Sequence, residues 1–108
     1  MTVPATRPRQ VEAANPEPAL APLYHLILLD DNDHTYQYVI ELLSHVLGYG
    51  REKAFALACV VDSQGRAIVE TAGREQVSQH QHRIHRYGAD PRIPHCKGSM
   101  SAIIEQAP

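Results

Sequence analysis

The chain has no tryptophan, one phenylalanine and only two cysteines among 108 residues. The cysteines, Cys59 and Cys96, lie far apart and share no spacing motif, which argues against a disulfide scaffold and for a reducing compartment. No apolar run approaches the roughly 18 residues that a membrane span needs. The N-terminus lacks the continuous apolar core of a secretory signal. An excess of one charge is also missing: 10 Lys+Arg against 12 Asp+Glu leave a net −2, so binding nucleic acid by counterion release is not expected. A soluble cytoplasmic protein of one small domain is the expectation.

Motifs of catalysis are scarce as well. There is no G-x-S-x-G elbow and no P-loop, so neither a serine hydrolase nor an ATP site is expected. Neither cysteine lies in a recognisable acid-base setting; Cys59 falls among apolar neighbours, where a thiol is usually inert. His80, His82 and His85 are spaced by 2 and 3, whereas a zinc site on one helix wants i and i+4. Only the 82/85 pair can face one ion, and His95 and Cys96 follow in a loop, so a solvated face is the better account and no metal or cofactor is expected.

What is present is organised. Residues 1–22 hold five of the eight prolines and are expected to form a flexible arm, because they cannot bury enough surface to offset ordering. A domain over 23–107 follows. "LYHLILLDD" (23–31) predicts a strand ended by acids. Tyr36, Val39, Ile40, Leu43, Val46 and Leu47 then recur at helical spacing, with Asp33 or Thr35 as the cap and Gly48 as the stop. "GYGREKAFALACVVD" predicts a second helix with Ala54, Leu57, Ala58 and Val61 on one face, followed by an "SQG" turn and the strand "GRAIVETAG". Gly73 opens a third helix with Val77, Ile84 and Tyr87 inside, "PRIPHCKGS" is a loop, and "MSAIIEQA" a closing strand. The fold class is α+β: a small β-α-α-β-α-β sandwich with a three-stranded antiparallel sheet packed on helices.

The stretch "LLDDNDHTYQYVIELL" (28–43) carries the functional question. Asp30, Asp31 and Asp33 place three carboxylates within four positions at the start of a helix. Negative charge is favourable there, yet one or two acids satisfy that need, and Asp62 adds another at the end of the second helix. Composition leaves capping and a cation site equally open.

The string "HLILLDDNDHTYQYVIELL…REKAFALACVVDSQGRAIVE" resembles the ClpS family, adaptors that hand N-degron substrates to AAA+ Clp unfoldases of the ClpA or ClpC type. The similarity spans residues 24–107 and rests on the strand-acid-helix junction, the "QGRA" turn and the tyrosine closing the third helix. The resemblance implies that Asp31, with Asp30 in place of the usual Asn and Asp62 in place of the usual His, holds the free α-amine of a substrate's first residue. It implies a side-chain pocket from Asn32, His34 (a usual Thr), Tyr36 (a usual Met), Val39, Ala58 (a usual larger Met), Val61 and Met100. First residues expected are Phe, Tyr, Trp or Leu. Glu75 and His80 fall where the family contacts the unfoldase, with His80 in place of a Lys; the arm resembles the family's N-terminal extension. The implied protein is not an enzyme. A domain of the same fold that has lost degron binding is the competing expectation, supported by the exchanges at residues 30, 36 and 62.

Overall fold

The computed structural model describes residues 21–108; the predicted arm lies almost wholly outside them. Six elements follow in the expected order. Strand β1 spans Tyr24–Leu29, helix α1 Tyr36–Leu47, helix α2 Arg51–Gln64, strand β2 Arg66–Ala72, helix α3 Arg74–His85 and strand β3 Ala102–Gln106. The sheet order is β2-β1-β3, antiparallel throughout. β1 is the central strand, which explains its unbroken apolar run: Leu26, Ile27 and Leu28 are all buried. β2 is an edge strand and alternates instead, with Ala67 and Val69 buried and Ile68 exposed.

The helices close one core over the sheet. α3 packs across all three strands, α2 lies along β2, and α1 rests on α2 and α3. Leu26, Leu28, Leu42, Leu43, Ala54, Ala58, Val61, Val77 and Ile84 belong to the same buried cluster. The stripe predicted for α1 needs correcting. Tyr36 is 41% exposed, while Tyr38 and Leu42, absent from that stripe, are buried. Tyr36 opens the helix and reaches across to α2, where its hydroxyl meets Asp62 and its ring stands 6.0 Å from Phe55; Tyr38 turns instead toward Tyr87, with ring centroids 5.5 Å apart.

Caps follow local chemistry. Thr35, not Asp33, caps α1, its Oγ1 accepting from the Tyr38 N–H at 3.1 Å. Gly48 ends α1 at φ 73, in the left-handed region. Ser63 and Gln64, expected in a turn, complete α2, which stops at Gly65.

Candidate functional site

The acidic stretch begins where the sheet ends. Leu29 N–H donates to Ser101 O and Asp30 N–H to Gly65 O, both at 3.0 Å. The end of β1 is thereby fixed between the turn after α2 and the segment entering β3. The chain must then cross to α1, and residues 30–35 make that crossing beside the last turns of α2. Ala58, Val61 and Asp62 stand at i, i+3 and i+4 on α2, so they share one face. Tyr36 and Val39, three apart, do the same on α1.

Between these faces lies a cavity of about 230 Å³ lined by Asp30, Asp31, Asn32, His34, Thr35, Tyr36, Val39, Ala58, Val61, Asp62 and Met100. All the residues expected to bind an amine or line a side-chain pocket are brought together here, and Thr35 joins them. Val39, Ala58, Val61 and Met100 are buried and make an apolar wall. Asp30, Asp31, Asn32 and Asp62 are exposed at the rim. No lysine or arginine lines the cavity, so its only other ionisable side chains are His34 and Tyr36.

Two of the three acids already have partners. Asp62 Oδ2 accepts the Tyr36 hydroxyl at 2.6 Å, bridging α1 and α2. That bond, with desolvation and the aspartate's charge, pushes the Tyr36 phenol up to about 12. Asp31 Oδ1 lies 2.7 Å from His34 Nδ1 and accepts the Asp33 N–H at 2.9 Å. Among the described residues, the Asp30 carboxylate has no side-chain partner. Asp62 occupies the C-terminal end of α2, whose last turn holds no basic residue. The negative end of the helix dipole therefore adds to the carboxylate's attraction for a cation.

His34 is a buried side chain here, 4% exposed. Its ring packs at a tilt against Tyr38, with centroids 4.4 Å apart, and its Nε2 lies 2.7 Å from Gly98 O. This ties the loop between α3 and β3 to the acidic crossing. Asp90, in the segment after α3, provides the second tie. Its carboxylate accepts from Thr35 N at 2.9 Å and Thr35 Oγ1 at 2.8 Å, and from Arg92 N and Nη1 at 3.0 and 3.1 Å. Burial alone would raise its pKa, but these donors outweigh burial and hold it at about 2. An aspartate two residues before an arginine was the one available signal, since its other partner is 55 positions upstream.

The expected reading of the cysteines changes for Cys96. Its Sγ lies 3.4 Å from His34 Nε2, an acid-base setting created by residues 62 apart. Cys59 remains half-buried on α2.

Helix α3 bears the residues expected to meet an unfoldase. Glu75 is exposed in its first turn, but His80 is turned inward, its Nδ1 2.8 Å from Glu70 Oε1 on β2. His85 Nε2 accepts the Ala102 N–H at 3.0 Å, so two of the three helix histidines have protein partners.

Comparisons with known proteins agree with this architecture. Residues 19–94, more than half of the chain, match the family model "ATP-dependent Clp protease adaptor protein ClpS". The ATP-dependent Clp protease adapter protein ClpS of Rhodococcus jostii (strain RHA1) is 26% identical over 86 residues, covering 80% of this chain and 72% of that protein. The structure of Agrobacterium tumefaciens ClpS2 bound to L-phenylalaninamide superposes with a TM-score of 0.68 at 17% identity, over 80% of this chain and 98% of that one. At that identity the superposition establishes the shared fold. With its β-α-α-β-α-β order, antiparallel three-stranded sheet and family match in hand, the chain belongs to the ClpS family of Clp protease adaptors.

Proposed function

We propose that this adaptor binds the free N-terminal amine and bulky hydrophobic first residue of N-degron substrates and delivers them to a cytoplasmic AAA+ Clp unfoldase of the ClpA or ClpC type. The observation that carries this reading is the composition of the cavity: carboxylates of Asp30, Asp31 and Asp62 at the rim, an apolar wall behind them, and no lining lysine or arginine. An ammonium group is the natural complement to such a rim, because charge-assisted hydrogen bonds are roughly twice as strong as neutral ones. The cavity is smaller than the roughly 300–1,000 Å³ of pockets that enclose whole small molecules, and suits a single side chain. The L-phenylalaninamide held by the Agrobacterium protein has both parts, an amine and an apolar side chain, and that agrees with the reading.

Exposure of the acids refines the energetics. They are solvated before binding, so the grip comes from converging charge at the surface and weakens as salt rises. The test is calorimetry with short peptides that differ only at residue 1. Binding of Phe-, Tyr-, Trp- and Leu-first peptides above Gly- and Val-first ones supports the proposal; no discrimination contradicts it. Delivery is tested separately, by degradation of a Phe-first reporter with a Clp unfoldase and its protease.

One observation favours a competing reading, a protein-interaction domain of this fold that has lost degron binding. Tyr36 and His34 occupy oxygens of Asp62 and Asp31 that an amine would need. Failure of every peptide to bind would select that reading.

A further inference from the structure

Asp31, His34 and Cys96 form a line of three polar groups that sequence gives no hint of. The carboxylate Oδ1 of Asp31 is 2.7 Å from His34 Nδ1, and His34 Nε2 is 3.4 Å from Cys96 Sγ. A nucleophile, a base within reach of it and a group that orients the base are the three parts of an activated thiol. Gly98 O lies close to both the ring and the thiol. Gly98 O lies 2.7 Å from His34 Nε2 and can only accept, as can the Asp31 carboxylate on the other side of the ring. The Cys96 thiol is in reach of both His34 Nε2, at 3.4 Å, and Gly98 O, to which it donates at 3.3 Å, and its sulfur accepts the Asp90 backbone N–H, also at 3.3 Å.

Position completes the case. The His34 side chain is buried, packs at a tilt against Tyr38 and has a polar contact at each ring nitrogen, which favours the ring position beside the sulfur. Asp90 is locked by Thr35 and Arg92, which holds the N–H that faces the sulfur. Cys96 itself is half-buried in the loop and reachable by a small reagent. We propose that Cys96 is a nucleophilic thiol, activated by His34 and Asp31, and a site of oxidation by hydroperoxides. In the reaction, taken with hydrogen peroxide, Cys96 Sγ gives its proton to His34 Nε2 and attacks one peroxide oxygen; the S–O bond forms as the O–O bond breaks. The sulfur is oxidised to the sulfenic level and the peroxide is reduced, its departing hydroxide taking the proton from His34 Nε2 to leave as water. This assignment stands whether or not the cavity binds amines.

Cys59 supplies an internal standard, because it too is half-buried and outside any disulfide. The full chain is treated with hydrogen peroxide at neutral pH, trapped with dimedone and digested, and the labelled fraction at each cysteine is followed by mass spectrometry. Labelling of Cys96 at least about ten-fold faster than Cys59 is expected, a conservative threshold below the roughly 10²–10⁴-fold that a positioned acid or base contributes. His34→Gln is expected to remove most of that advantage. Asp31→Asn, at an exposed rim position, provides a second variant should His34→Gln fail to melt cooperatively. Equal rates at the two cysteines would overturn the proposal. So would cooperatively melting His34→Gln or Asp31→Asn variants whose Cys96 reacts as fast as in the parent chain.

Discussion

Among the described residues Asp90 is the one charged residue that is buried, at 1% exposure, and it joins Thr35 at the head of α1 to Arg92 in the loop before β3. Its removal leaves the Thr35 and Arg92 donors without their acceptor, so Asp90→Ala should cost about 2–3 kcal/mol in denaturant unfolding. Its folded pKa of about 2 lies below the ordinary 3.8, so its contribution is complete above pH 4 and disappears as pH falls toward 2. The stability gap between parent and Asp90→Ala should therefore close over that window; a gap that persists at pH 2 would show that burial, not charge, sets its role. The role proposed for Tyr36 is in binding instead. Its hydroxyl is the only protein donor to Asp62 among the described residues, and its ring is exposed beside Phe55 at 6.0 Å. Tyr36→Phe should leave the melting temperature nearly unchanged and strengthen binding of amine-bearing peptides roughly two- to five-fold by releasing that oxygen. Weaker binding would mean that the bridge shapes the pocket more than it competes for it. Asp31→Ala should weaken peptide binding more than Asp33→Ala, because Asp33 does not line the cavity.

Helices and strands were legible because their signals are local. The central strand announced itself as an apolar run between a turn and an acid cluster, and each helix by its 3.6-residue period. Errors cluster at element ends. Asp33 and Thr35 are equally good caps on paper, and the choice of Thr35 depends on Asp90 holding its backbone N–H and hydroxyl from across the chain. Tyr36 fits the stripe by count, yet its side chain reaches over the surface to Asp62 and Phe55 of α2 and stays exposed. Thr35→Ala loses both the cap and a donor to Asp90, so it should cost more than the roughly 1 kcal/mol of an isolated cap, read by thermal or urea unfolding. A cost at or below that value would separate the cap from the Asp90 network.

The whole molecule places its candidate site at one end of the sheet, where β1, both ends of the helix pair and the β3 entrance meet. Ten positions expected from family resemblance converge on one cavity, whereas the loop that closes it was not legible. Its ties, His34 to Gly98, Thr35 to Asp90 and Cys96 to His34, span more than 50 residues and leave no periodic trace. At this scale the proposed role of Ala58, buried in the cavity wall, is to set the depth of the pocket. Ala58→Met should fill part of the space now open to ligand, at about 0.8 kcal/mol per methylene no longer buried by the guest. It should therefore reduce affinity for Phe-first peptides more than for Leu-first ones; an unchanged ratio would show that residue 58 does not face the ligand. The central claim, that the acids of the cavity hold a free α-amine, is tested most directly by one titration. A Phe-first peptide is compared with the same peptide acetylated at its N-terminus, in low salt. The account predicts measurable binding of the free peptide and its loss on acetylation, since acetylation removes the cation that Asp30, Asp31 and Asp62 surround. Equal affinity for the two peptides would contradict it.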